Sequence, residues 1–188
     1  MRGVRTGRFE LDVRGRLGGL EVRRAEGVMS RDGTASGTVD LEEAGQLVEF
    51  DVVFVRGTVY LKGPTGPFQS VPSELAGTIY DPTDLLDPDH GLVRLLETAR
   101  RPRTLGRSDL PGAPAYRVGA TLDGAVLRPL VPNPVPQQVM ASLWIGADAP
   151  RLLRVQTSLP SAGGGPTDLT LSVSDFNLDV RVTPPPTG

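Results

Sequence analysis

Few residues of this 188-residue chain have types and spacings that could support chemistry. Asp81, Asp84, Asp87 and Asp89 lie close together and carry the oxygen ligands that Ca²⁺ prefers. They lack the spacing of a calcium-binding EF-hand loop, and both Asp81 and Asp87 precede a proline, which is the pattern of a helix N-terminus. We therefore interpret them as helix caps and solvated charges, and we predict no metal site.

The other candidates for catalysis are isolated in the sequence. His90 is the only histidine, and no Gly-x-Ser-x-Gly nucleophile motif accompanies it. The glycine run 163–165 lacks the Gly-Lys-Ser/Thr ending of a phosphate-binding loop and fits a hairpin turn. Glu49 and Asp51 would supply two carboxylates for glycoside hydrolysis, but they alternate with Phe50 and fit the outward face of a strand. We predict that the chain is not an enzyme and has neither catalytic residues nor a cofactor.

Composition and charge narrow the function further. The 20 basic and 22 acidic side chains give a net charge of −2, and the short cluster Arg100, Arg101 and Arg103 is interrupted by Pro102. No strong field favours nucleic acid or an anionic membrane surface. The absence of cysteine excludes disulfides, thiol catalysis and cysteine-ligated zinc. No apolar run approaches the roughly 20 residues of a membrane-spanning helix.

Apolar and polar residues alternate along much of the chain. Such alternation predicts strands with one buried face, and short strands between Gly- and Asp-rich turns predict antiparallel pairing. We count about ten strands, the last over residues 178–182. The clearest apolar series are Phe9, Leu11 and Val13, then Val48, Phe50, Val52 and Phe54, and later Val139, Ala141, Leu143 and Ile145.

Helices are predicted in two insertions between the strands. Asp81-Pro82 and Asp87-Pro88 each have the pattern of a helix start, and the second helix has an apolar stripe of Leu92, Leu95, Leu96 and Ala99. A shorter helix capped by Asp123 is expected over 123–130. The fold class is thus α+β, a curved antiparallel sheet with short helices covering one side. Read from the residues alone, the leucine stripe favours a solid core.

The length suits one domain over residues 1–188. Residues 1–7 are expected to be a flexible remnant, and residues 183–188 a proline-rich tail. The first eight residues lack the apolar stretch of a signal peptide, so we expect any export leader to lie outside this numbering.

Four segments of the sequence resemble the LppX/LprAFG family of actinobacterial lipoproteins. They are a strand–turn–strand over 52–60, an Ala-Ser-Leu-Trp-Ile strand over 141–145, the closing segments 169–172 and 180–185, and the region 79–92. The last is the most specific, because the family has a Tyr-Asp-Pro…Leu-Asp/Asn-Pro-x-x-Gly-Leu run there. In this chain it reads Tyr80-Asp81-Pro82, then Leu86-Asp87-Pro88, and then Gly91-Leu92.

The resemblance implies a half-barrel of antiparallel strands, similar to the LolA/LolB carriers, with helices on its concave face around an apolar cavity. Family members are exported lipoproteins of the cell envelope that are anchored through an N-terminal acylated cysteine and move lipids or lipoglycans outward. No cysteine is present here, so we expect the membrane-contacting lipid anchor to be missing from this chain. The family also has a longer helix before its first strand.

The resemblance implies a di- or triacylated lipid or lipoglycan as ligand, and a lipid exporter in the inner membrane as a possible partner. A nucleic-acid partner is not expected. Alternation along the strands and the helix stripe then identify the residues that we expect to line the cavity. They are Phe9, Leu11, Val13, Phe50, Val52 and Phe54 from the sheet, and Leu85, Leu86, Leu92, Leu95 and Leu96 from the helices.

An alternative function is a periplasmic interaction or chaperone module for lipoproteins, without a lipid cargo of its own. It predicts an exposed apolar patch and a protein partner, whereas the carrier hypothesis predicts lipid that co-purifies with the protein. A hydrolase would need an acid–base pair, which the sequence does not offer.

Overall fold

The computed structural model describes residues 1–15, 22–43, 45–71, 82–127, 135–160 and 165–188. In these ranges, eleven strands form one antiparallel sheet. The prediction of a curved antiparallel sheet of about ten strands is therefore confirmed. The strands are β1 (Thr6–Arg14), β2 (Val22–Ser30), β3 (Thr34–Glu43), β4 (Gln46–Val55), β5 (Thr58–Lys62), β6 (Gln69–Val71), β7 (Arg100–Arg107), β8 (Ala115–Asp123), β9 (Gln138–Gly146), β10 (Leu152–Leu159) and β11 (Thr167–Ser174).

The sheet consists of two meanders joined at its centre. One runs from β1 outward to β6, the other from β7 inward to β11, and β1 pairs with β11. Within each meander, neighbouring strands are consecutive in the chain, which is the arrangement that short turns favour. The sheet is open, with β6 and β7 at its two edges. β1 begins inside the segment that was expected to be a flexible remnant, and Val4 just before it is buried.

The strand predicted over residues 178–182 does not form. β11 ends at Ser174, and its two sides are already paired with β1 and β10, so no free edge remains beside it. Asp175 and Asn177 have φ values of 48° and 63°, and this left-handed backbone turns the chain away from the sheet. The Thr6 hydroxyl then donates a hydrogen bond of 2.6 Å to the carbonyl of Leu178.

The first helical insertion contains a 3₁₀-helix, η1 (Pro82–Leu86), and an α-helix, α1 (Leu92–Thr98). The expected start of the second helix at Asp87-Pro88 is wrong, because α1 begins four residues after Pro88. Asp87 instead accepts backbone N–H bonds from Asp89 and His90, at 2.7 and 2.9 Å, and closes a turn before the helix. These two donors lower the pKa of the Asp87 carboxyl.

The second insertion contains η2 (Gly124–Leu127), another 3₁₀-helix. Asp123 caps it, since its carboxylate accepts the N–H of Ala125 at 2.9 Å. The predicted helix is thus present over 124–127, and its expected continuation to 130 lies outside the described residues. No helix in the described ranges is long and apolar enough to cross a membrane.

Two glycines face each other where the backbones of β2 and β3 approach closely. Gly27 of β2 pairs with Gly37 of β3. A Cβ on Gly27 would overlap the carbonyl oxygen of Ser36 and lie 2.8 Å from the Gly37 Cα, and a Cβ on Gly37 would overlap the carbonyl of Glu26. The atoms that would clash with either Cβ belong to the backbone, so no side chain can move aside to make room. The close approach of the strands therefore requires glycine at both positions.

Replacing either glycine tests this constraint. We expect Gly37→Ala to lower the free energy of unfolding by about 1–3 kcal/mol, because the added methyl has to displace backbone. Gly3→Ala is the control, since a Cβ there meets nothing within 4 Å. Urea denaturation of the two variants should separate them, and equal midpoints would contradict the argument.

The packing of α1 gives a second test. Leu95 is 1% exposed, whereas its neighbour Arg94 is exposed to solvent. We expect Leu95→Ala to cost about 2–5 kcal/mol of stability through lost burial and a cavity. Arg94→Ala on the same helix should stay within about 0.5 kcal/mol of the wild type. A thermal denaturation series showing similar losses for both would mean that α1 is not anchored through its apolar side.

Candidate functional site

The described residues bring together a continuous apolar surface on one side of the sheet. At its centre, the pairing of β1 with β11 sets Phe9 opposite Val173 and Leu11 opposite Leu171. All four side chains are at most 5% exposed. Because side chains alternate along a strand, every second residue of each strand lies on this side of the sheet, where Thr157 of β10 is a buried polar exception. We call this surface the concave face, because the helical elements cover this side.

The register extends the concave face along both meanders. Toward β6, Leu11 is followed by Ala25 on β2, Val39 on β3 and Phe50 on β4. Toward β7, the row through Leu171 continues to Val155 on β10, Leu143 on β9 and Val118 on β8. Only apolar side chains occur along this row from β4 to β8. A polar head group would find no hydrogen-bonding side chain on it.

Small side chains occupy several central positions of the concave face. Ala120 of β8 faces Ala141 of β9, and Ala35 of β3 lies beside the Gly27–Gly37 pair. Alanine and glycine cover the backbone but project little into the space in front of the sheet. The face is therefore apolar without being filled by its own side chains at these positions.

The helical elements cover this face from its flanks. η1 packs against β2 and β3 of one meander, while α1 packs against β8 of the other. In the part of the chain that the structure describes, neither makes comparable contact with β1, β9, β10 or β11, which form the floor between those flanks. The helical cover therefore packs on β2, β3 and β8.

The structure places all eleven predicted lining residues on the side that the helices cover. Nine are buried, and Phe50 and Leu96 are half-buried. The six from the sheet belong to β1 and β4, and each occupies a concave-face register position. The five from the helices belong to η1 and α1, and they join the same apolar cluster.

Most of the buried residues of the floor were not among those predicted from the sequence to line the cavity. Alternation was visible there in the sequence, but it did not show which strands would be central. The pairing of β1 with β11 places these strands at the centre of the sheet. The additional buried residues of the floor include Leu143, Val155, Leu159, Leu169, Leu171 and Val173.

The concave face is partly open to solvent near the β3–β5 flank. Val39, Leu41, Val48, Phe50 and Leu61 are half-buried there, although all occupy concave positions. The Phe50 ring reaches within 3.5 Å of the Cβ position of Gly63. These five residues are named the apolar rim.

The residues first considered for catalysis are separated from this face. Asp51 points to the opposite side of the sheet and pairs with Lys62 at 3.1 Å. His90 is exposed and lies 3.3 Å from Asp87 in the turn before α1. Within the described ranges, no group of three or more potential metal ligands is present.

A cleft of about 520 Å³ opens elsewhere, beside the start of β1. Seven of its nine lining residues are polar or charged, among them Arg5, Arg31, Asp32 and Asn177. The pKa of Asp32 is lowered there, chiefly because the hydroxyls of Thr34 and Ser30 donate to its carboxylate. None of the predicted lining residues contributes to this cleft.

Curated relatives align with nearly the whole chain. The lipoarabinomannan carrier protein LprG of Mycobacterium tuberculosis is 28% identical over 185 residues, covering 97% of this chain and 76% of that protein. The LprG of Mycolicibacterium smegmatis is 29% identical and covers 93% and 74%, respectively. A putative diacylated glycolipid transporter, LprF of Mycobacterium bovis, is 31% identical over 140 residues, covering 73% of this chain and 49% of that protein. These relatives are named as carriers and transporters rather than as enzymes.

Solved structures share the fold. The crystal structure of LprF from Mycobacterium bovis superposes with a TM-score of 0.79 at 24% identity, covering 100% of this chain and 91% of that one. The lipoprotein LppX from Mycobacterium tuberculosis gives a TM-score of 0.69 at 19% identity, with 97% and 91% covered. The family model described as LppX_LprAFG lipoprotein matches residues 1–182. The chain therefore belongs to the LppX/LprAFG lipoprotein family, as the resemblance of its sequence segments indicated.

Proposed function

We propose that this protein binds a di- or triacylated lipid or lipoglycan between its concave face and the helical cover, and carries it within the cell envelope. The observation that supports this most directly is the apolar row of the concave face from β4 to β8, with the helical cover packed on β2, β3 and β8. The eleven predicted residues would line the chamber together with the floor residues on β9, β10 and β11.

Acyl chains suit such a surface for energetic reasons. Each methylene moved from water into an apolar environment gains about 0.8 kcal/mol. A lipid with long chains therefore leaves a bilayer only if it receives a comparable apolar environment. Methylenes have no directional contacts, so we expect selectivity among chains to be loose and a polar head group to remain outside the concave face.

The apolar rim supports an entrance for the lipid at the β3–β5 flank of the sheet. Its five half-buried side chains join the buried concave face to solvent at the β3–β5 flank. An acyl chain entering there would remain in contact with apolar groups until it reached the floor.

The names of the relatives support a lipid cargo and a location in the envelope. Two are named for a lipoglycan or a diacylated glycolipid. By analogy, we propose that the mature protein is exported and held at the membrane through an N-terminal lipid anchor. A lipid exporter in the inner membrane is the donor that such a carrier would require.

Lipid binding can be measured directly. We expect native mass spectrometry, after incubation with a diacylated phospholipid or a triacylated glycolipid, to show a one-to-one complex. Val39→Asp should weaken the complex by roughly tenfold or more, because it puts a carboxylate on the apolar rim opposite Phe50. The matched control is Val53→Asp, which is also half-buried but faces the other side of the sheet.

The lipid affinities of the two variants can be compared only if both variants are folded, which circular dichroism tests. Equal lipid affinity of the two aspartate variants would refute binding at the concave face. Absence of binding by the wild-type chain to both lipids would refute the carrier function. Binding to an acylated protein instead would favour the interaction or chaperone module.

A further inference from the structure

The convex face, on the opposite side of the sheet, has an uneven distribution of charge. On β7 to β10 its outward positions include Arg100, Arg103, Arg117 and Arg154. Among the described residues at the margins of this region, Asp123 at the end of β8 caps η2, Asp109 after β7 pairs with Arg107 at 3.1 Å, and Asp148 lies in the turn between β9 and β10. We call the four outward arginines the arginine patch.

The other flank of the convex face is predominantly acidic. Outward positions on β1 to β4 include Glu10, Glu26, Asp40, Glu49 and Asp51. Several of these pair with cations, as Glu10 and Glu26 do with Arg24 at 2.8 and 2.7 Å. A net charge of −2 for the chain therefore conceals a strong separation of charge across one surface.

The arginine patch is organised around Trp144. The guanidiniums of Arg117 and Arg154 lie 5.3 and 5.9 Å from the centre of the indole ring, from the two neighbouring strands. Their remaining hydrogen bonds go to hydroxyls, from Arg117 to Ser142 at 2.9 Å and from Arg154 to Ser172 at 3.1 Å. Cation–π contacts hold the guanidiniums in place without neutralising them. Each keeps N–H groups and a full positive charge available for an anion.

Large apolar side chains are exposed in the same region. Met140 lies on β9, opposite Thr121, and is 83% exposed. Leu105 of β7 is 59% exposed and lies against Gly119. Arginines together with solvent-exposed aliphatic groups are the composition of surfaces that adsorb to anionic bilayers.

Protection of the sheet edge explains part of this pattern but not all of it. β7 is an edge strand with Pro102 and two register irregularities, and charged residues there prevent pairing with another chain. That argument does not apply to Arg117 and Arg154, which lie on interior strands β8 and β10. Nor does it explain an exposed methionine on β9.

We propose that the arginine patch, with Leu105 and Met140, is a docking surface for the anionic head groups of a phospholipid bilayer. It would hold the protein against the membrane by the β7–β10 flank and keep the acidic flank away from it. Charge complementarity supports an anionic bilayer as the partner of this surface. The patch has four arginines, and none of them forms an ion pair with a carboxylate among the described residues. The inference is independent of a lipid cargo on the concave face.

Vesicle flotation tests the docking surface on the complete 188-residue chain. We expect it to bind vesicles of phosphatidylcholine mixed with phosphatidylglycerol and to bind pure phosphatidylcholine vesicles much more weakly. Arg100→Gln/Arg103→Gln should reduce the affinity about tenfold or more. Raising the salt concentration should have a similar effect, because the contacts are exposed.

The matched control is Arg14→Gln/Arg56→Gln, which removes the same charge from exposed positions outside the patch. This variant should bind the mixed vesicles like the wild type. Equal losses in both double variants, or equal binding to the two kinds of vesicle, would overturn the proposal. Tighter retention of a single-stranded oligonucleotide than of mixed vesicles would also overturn it, in favour of a nucleic-acid surface.

Discussion

The antiparallel pairing of β1 with β11 is the contact that makes one sheet from two meanders. It joins residues near the two ends of the chain, with Phe9 opposite Val173 and Leu11 opposite Leu171. Because these four side chains are buried on the same side, the pairing fixes the register of the floor and places it midway between the two edges. Every later feature, including the cover, the rim and the arginine patch, depends on which strands this contact makes central.

A sheet this wide can keep an apolar side out of water only if something covers it. Here η1 and α1 do so from opposite flanks, through leucines such as Leu85 and Leu95. The Gly27–Gly37 pair allows β2 and β3 to approach closely, since side chains at these positions would force the two strands apart. Curvature and cover together produce a surface suited to acyl chains, and membership of a lipoprotein family with named lipid carriers agrees with this interpretation.

The two faces of the sheet have opposite physical characters. The concave face has apolar groups and no charge along its central row, so it suits ligands without directional contacts. The convex face has charges separated by flank, with Trp144 in contact with two arginines that form none of the ion pairs found in the described part of the chain. One sheet therefore offers an apolar surface for cargo and a cationic surface for an anionic bilayer, on opposite sides.

The sequence alone determined the strands, their buried sides and the apolar helix stripe, because a period of two or of 3.6 is a local property. Even so, it misplaced the start of α1, since Asp87 caps a turn as readily as a helix. It also suggested a strand at 178–182, although pairing had used both sides of β11. Only the tertiary structure decided the floor residues and the arginine patch, because long-range pairing brings together side chains that are far apart in the chain. The net charge of the whole sequence could not reveal the arginine patch, because a sum of charges does not say where each charge lies in the structure.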